Sequence, residues 1–143
     1  HVIDGFNLKF TNLQAALGIS QLNTLNKRIK KLNEIHNYYQ KNLIKNKKFK
    51  LFNFDQKHGE LPLWSDIYCI DRNKLYNYLK KRKVICRLFW LPLNTLKPYK
   101  KSSKHFGNSN KLLNKLMWLP SSLTLKTKDQ KKICDLINNF YSK

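Results

Sequence analysis

The 143-residue chain carries 29 Lys or Arg against 8 Asp or Glu, a formal charge of +21 at neutral pH, and at this length it makes one domain, hardly two. With 41% hydrophobic and 13% aromatic residues it can fill a core and lies outside the composition of a disordered tail. Its longest apolar stretch, Leu88-Phe89-Trp90-Leu91-Pro92-Leu93, falls well short of the roughly 20 residues a bilayer-spanning helix needs, and no secretory signal is visible.

Residues 5 to 10 read as a loop entering a helix, whose start is marked by Thr11 and, three residues on, Gln14, a capping box. Apolar or aromatic residues then recur at Leu22, Leu25, Ile29, Leu32, His36, Tyr39 and Leu43 with no Gly or Pro between Gly18 and Gly59. The alternation of three and four predicts one long helix with this stripe buried and Lys27, Arg28, Lys30, Lys31 and Lys41 in water. An edge strand is expected near Lys48 to Phe54, a polar turn at His58-Gly59-Glu60, and a second strand from Leu63 to Ile70. Asp71 is placed to cap a short helix bearing Leu75, Tyr78 and Leu79, which leads into a third strand, Lys83 to Trp90. Pro92, Pro98 and Ser102-Ser103 predict an irregular connection, Asn110 to Leu116 a brief helix, and Trp118 to Ser122 a turn. Thr127 with Gln130 repeats the capping box before a last helix with Ile133, Leu136, Ile137 and Phe140 inward. The fold class expected is α/β with a small sheet.

Most familiar chemistries are excluded by spacing. Cys69, Cys86 and Cys134 lie 17 and 48 residues apart, too far for a zinc or redox pair, and their Ile, Val and Leu neighbours predict buried, reduced thiols. No metal site is expected. The four glycines are too scattered for a phosphate or dinucleotide loop, the histidines show no ligand spacing, and no nucleophile elbow surrounds a serine. The charge suggests a polyanion partner, but 25 of the 29 basic residues are Lys and 4 are Arg, whereas base and bidentate phosphate recognition favours the guanidinium. Lys and Asn together fill 42 positions, a bias that an AT-rich genome imposes on solvent-facing sites without any partner. A nonenzymatic basic module binding nucleic acid or another polyanion stays as the rival reading.

One string carries more information. Gly5-Phe6-Asn7-Leu8-Lys9-Phe10-Thr11-Asn12-Leu13-Gln14-Ala15-Ala16-Leu17-Gly18-Ile19-Ser20-Gln21-Leu22 puts an Asn on a glycine-bearing loop before a helix, where its amide can meet an anion. The string closely resembles the segment G-x-N-x-R-x-T-x-x-Q-A-A-x-G-x-x-Q-L of the DegT/DnrJ/StrS family of sugar aminotransferases, which depend on pyridoxal 5'-phosphate. The resemblance continues through Val84-Ile85-Cys86-Arg87-Leu88-Phe89-Trp90-Leu91-Pro92-Leu93, then Lys97-Pro98-Tyr99 and Leu119-Pro120-Ser121-Ser122, and covers about Gly5 to Tyr141.

The resemblance implies the C-terminal part of a type I aminotransferase fold. Residues 1–25 would end the large cofactor domain and start the long connecting helix, and residues 26–143 would form a small domain of a short, mostly antiparallel sheet with helices packed on it. It implies amino transfer, from glutamate, to a nucleotide-linked keto sugar by a cytoplasmic homodimer with no membrane partner. The Schiff-base lysine and its acid would lie upstream of His1, so none of the lysines here takes that role, and the isolated chain is expected to be an inactive fragment or part of a split or degenerate enzyme. Asn7 matches the family asparagine that reaches the cofactor phosphate of the partner subunit, although Asn also favours turns for its own sake. Arg87 matches an arginine near the substrate entrance, open to pairing with a carboxylate or phosphate or to a structural pairing. Trp90 is a pocket-lining or a core residue. Two departures are evident: Lys9 stands where the family commonly has Arg, and Asn94 where many members have His, replacing a titratable ring by an amide at a substrate-side position.

Overall fold

The computed structural model describes residues 8–100 and 106–142. Asn7 and Ser102-Ser103 therefore lie outside the described residues. Helix α1, Asn12–Leu22, opens on the expected capping box: the Thr11 hydroxyl accepts the Gln14 N–H at 3.3 Å, and the Gln14 side chain accepts the Thr11 N–H at 2.8 Å. The single long helix does not form. Thr24 leaves the helical region at ψ 0, its hydroxyl donates back to the Gln21 carbonyl at 3.0 Å, and a second helix, α2, restarts at Leu25–Asn42. Asn and Thr side chains compete for backbone groups in this way. Burial of the predicted stripe begins only past the first turn of α2: Leu32, His36, Tyr39 and, just past the helix, Leu43 are buried and Ile29 is half-buried, whereas Leu22 and Leu25 are exposed.

Four strands, β1 (Phe49–Leu51), β2 (Ser65–Cys69), β3 (Arg87–Leu88) and β4 (Leu116–Leu119), form one antiparallel sheet in the order β1-β2-β4-β3. β1 is the edge strand expected. The third strand is shorter than predicted because Lys83, at φ 61, turns the chain into the left-handed region, and only Arg87 and Leu88 pair with β4. β4 replaces the predicted turn at Trp118. Its Met117 and Leu119 point to one face and Trp118 to the other, and all three are buried, so the run lacks the polar-apolar alternation that marks a half-solvated strand.

Helices α3 (Arg72–Lys81) and α5 (Thr127–Tyr141), with α2, cover one face of the sheet. Ile35 and Tyr39, Leu75 and Leu79, and Ile133 and Ile137 meet Phe49, Ile67, Cys69 and Met117 in a single core. Two caps differ from expectation. Asp71 sits at the α3 cap position, but its carboxylate faces Lys74 Nζ at 3.6 Å and makes no cap hydrogen bond. Lys126, not Thr127, caps α5, and the buried Gln130 instead donates to the Ile35 carbonyl at 2.6 Å, joining α5 to α2. Leu136 and Phe140 are half-buried beside the core residues of α5. The helix expected near Asn110 is α4, Gly107–Leu112, and Arg72 holds the link from it to β4 by donating to the Leu113 carbonyl at 2.6 Å and to Asn114 Oδ1 at 3.1 Å. All three cysteines are buried and free.

Candidate functional site

The sheet face away from the helices carries the residues of interest. Side chains alternate along a strand, so with Ile67 and Cys69 committed to the core, Asp66 and Tyr68 of β2 point to the other face. The register sets Asp66 opposite Trp118 and Trp118 opposite Arg87. The Trp118 indole N–H donates to Asp66 Oδ1. Burial pushes the Asp66 carboxyl above its ordinary range, and this hydrogen bond opposes the shift.

Trp118 forms the floor of an aromatic cluster that holds all three tryptophans of the chain. Trp90 meets it edge-to-face at 4.6 Å, Trp64 and Phe89 meet it at a tilt, each at 5.0 Å, and Trp64 and Trp90 stand 5.4 Å apart at 77°. Arg87 lies over this cluster, its guanidinium carbon 5.4 Å from the Trp118 ring and 6.0 Å from the Trp90 ring, a cation–π arrangement. Among the described residues Arg87 has no carboxylate partner. Trp90 is 52% exposed, so the core tryptophan is Trp118. Asn94 is buried in a 3-10 turn, Leu93–Thr95, whose backbone closes through Thr95 N–H to the Pro92 carbonyl at 2.9 Å. The structure thus brings Arg87 and Trp90 together and buries Asn94 in the following loop.

Next to the cluster is an open cleft of about 680 Å³ whose walls include Phe52, Phe54, Leu61, Phe89 and Leu116, with Asp66 as a polar group. Its size and apolar walls suit a small-molecule subsite. Trp64, Trp118 and Asp66 were not singled out from the sequence. The signal for Trp118 and Asp66 was the strand register, which is readable only once Leu116–Leu119 is recognised as a strand.

What these groups can do is bind and orient. Burial pushes the thiols of Cys69 up to about 11 and of Cys86 and Cys134 up to about 12, so none is a nucleophile at neutral pH. Among the described residues no group of three or more His, Cys, Asp or Glu is placed to hold a metal, and no helix is long and apolar enough to cross a membrane. Every described lysine is exposed or half-buried.

The chain is similar to two curated proteins called GDP-perosamine synthase. The one from Escherichia coli O157:H7 is 28% identical over 99% of this chain and 39% of the relative, and the one from Vibrio cholerae is 26% identical over 99% and 40%. The chain therefore spans about two fifths of the length of these relatives. Among solved structures it superposes on S. venezuelae DesV in complex with a ketimine intermediate with a TM-score of 0.84 at 14% identity, covering 100% of this chain and 40% of that one. The putative sugar aminotransferase Spr1654 of Streptococcus pneumoniae, solved in a PLP form, gives 0.83 at 14% identity over 99% and 38%. A family profile matches residues 1–138, and by that match the chain belongs to the DegT/DnrJ/EryC1/StrS aminotransferase family, whose members depend on pyridoxal phosphate.

Proposed function

We propose that the chain is the C-terminal portion of a nucleotide-sugar aminotransferase that moves an amino group from glutamate to a keto sugar, working as a cytoplasmic homodimer. The observation that carries this is the extent of the match: the family profile runs over residues 1–138 of this chain, while the chain answers to only 39% and 40% of its two curated relatives. Pyridoxal phosphate, when bound, supplies the electron sink for amino transfer. The described residues do not build its cradle, since no lysine among them is enclosed. In this reading the anchoring lysine and its acid belong to the upstream portion, and residues 1–25 complete that large domain while residues 26–143 form the small one.

The chain's own part is to hold substrate. Asn7 donates its amide N–H to the cofactor phosphate across the dimer. Arg87, lying over two indole rings without a carboxylate partner, pairs with an anionic oxygen of the donor or nucleotide. Trp90 gives that anion's neighbour an apolar wall, and Asn94 shapes the loop behind it. The test is to isolate the native polypeptide, weigh it, and assay amino transfer from glutamate to nucleotide-linked keto sugars. A polypeptide longer by a domain that turns over, beside an inactive 143-residue chain, is the expected result. Turnover by the 143-residue chain alone would overturn it.

The charge of +21 supports a second reading, a basic module for polyanions, whether in a split or a degenerate enzyme. It requires tight, structure-selective binding to nucleic acid with a steep salt slope. Weak, unselective binding is what any protein of this charge gives.

A further inference from the structure

Asp66, Trp118 and Arg87 lie in one row across three neighbouring strands, β2, β4 and β3, on the sheet face away from the helices. Arg87 is exposed, Trp118 buried and Asp66 half-buried. The chain holds 29 basic residues against 8 acidic ones, yet among the described residues no ion pair includes Asp66 or Arg87. A partly desolvated carboxylate is stabilised by a cation or by hydrogen bonds. Asp66 takes the indole N–H of Trp118, a hydrogen bond to a charged acceptor and so of the stronger kind. Burial raises the Asp66 carboxyl and this bond lowers it, so the bond favours the ionised acceptor. Arg87 stands two strand spacings from Asp66, about 10 Å, with the indole between them.

An Arg–carboxylate pair spends the N–H fork that recognises an oxyanion. A cation–π contact holds the charge and leaves those N–H groups unspent. The Trp118 ring can give that support only if it keeps its orientation, and its single donor, tied to Asp66 Oδ1, selects one ring flip over the other. Trp90 packs edge-to-face on Trp118 at 4.6 Å, so both indoles beneath the guanidinium depend on the one carboxylate. We propose that Asp66 is a positioning residue for anion binding: by accepting the Trp118 N–H it fixes the ring under Arg87, and so holds the guanidinium, un-neutralised, where it meets a carboxylate or phosphate oxygen of the substrates. This rests on the reading that Arg87 pairs with an anionic oxygen of the amino donor or the nucleotide.

The test uses the native polypeptide and two probes, inorganic diphosphate and glutamate, with binding measured by calorimetry at physiological salt. Arg87→Gln defines the site: the probe it weakens is the one Arg87 holds, diphosphate for a nucleotide phosphate or glutamate for a donor carboxylate. Asp66→Leu is expected to weaken the same probe about fivefold and to cost nothing further once Arg87 is replaced by Gln. Trp118→Phe, which removes the donor and keeps a ring, is expected to lose as much, and it carries the comparison if Asp66→Leu does not fold. Asp66→Asn, which keeps an acceptor for the indole, is expected to stay within about twofold of the parent. In turnover the same variants are expected to raise KM for the matching substrate with kcat unchanged. A lower urea midpoint with unchanged probe affinity, or a loss that adds to that of Arg87→Gln, overturns the inference and leaves the aminotransferase reading standing. Arg87→Gln that weakens neither probe overturns the inference at its anion site. The expected affinities in a native polypeptide that transfers no amino group support the Asp66 role and overturn the aminotransferase reading.

Discussion

Helices α1 and α2 are consecutive, separated by Asn23 and Thr24, and answer to opposite environments. α2 carries Lys27, Lys30, Lys31 and Lys41 on its wet side and buries Leu32, Ile35, His36 and Tyr39. α1 carries no charge and buries nothing. Amphipathicity lets α2 complete its packing within these residues, because one polar face suffices for a helix lying on a sheet. α1 offers water only a narrow, uncharged strip that includes Gln14 and Gln21. The comparison teaches that a helix's residues record how many of its sides are covered, and that α1 and α2 belong to differently organised surroundings although one runs into the other.

Substitutions along the two helices sharpen the contrast. The largest effect is expected from Ile35→Ala in α2, which removes a side chain 2% exposed in the core and costs about 3 kcal/mol, read as a lower urea midpoint at unchanged slope. Tyr39→Phe is next. It deletes the hydroxyl that donates to the Pro120 carbonyl at 2.8 Å, and costs about 1 kcal/mol in the same measurement.

The third prediction is a pH dependence. His36 is buried with Nδ1 unpartnered, edge-on to Phe54 at 5.2 Å, and desolvation lowers its pKa from 6.5. The folded state thus favours the neutral ring. Its contribution is complete above 6.5 and is lost as pH falls below 6.5 toward the lowered folded value. The stability of the parent relative to His36→Phe is expected to fall as pH drops from 7 to 5, by less than about 1.4 kcal/mol per pH unit. A difference independent of pH would show that the ring is not held neutral. The smallest effect is expected at the other end of the comparison: Leu17→Ala in α1 changes the stability of this chain by less than about 0.5 kcal/mol, because Leu17 is 58% exposed. A cost as large as that of Ile35→Ala would mean that α1 is covered after all.

The legibility of the sequence follows the same division. The Thr11-Gln14 box was readable because both partners are three residues apart on one helix turn. The same pattern at Thr127 and Gln130 misled, because the Ile35 carbonyl, 95 positions away in sequence, claims the Gln130 amide. β4 was read as a turn because Trp118 faces the aromatic cluster while Met117 and Leu119 face the helices, erasing the alternation on which strand recognition depends. Of the candidate site, Arg87 and Trp90 were singled out through the family-like segment they share. Trp64 and Asp66 were not, since they come from β2 and the turn before it and join the site through register.

By itself the sequence determined what depends on residues a few positions apart: the capped start of α1, the buried stripe of α2 from Leu32 onward, the α3 and α5 core faces, buried thiols, and the family to which the chain belongs. Tertiary structure alone decided the rest. It put β4 between β2 and β3, gave Trp118 a carboxylate partner, set Arg87 over two indoles, and left α1 without cover. These outcomes turn on strands paired across about 50 residues of chain, and on burial, which is a property of what surrounds a side chain and not of the side chain itself.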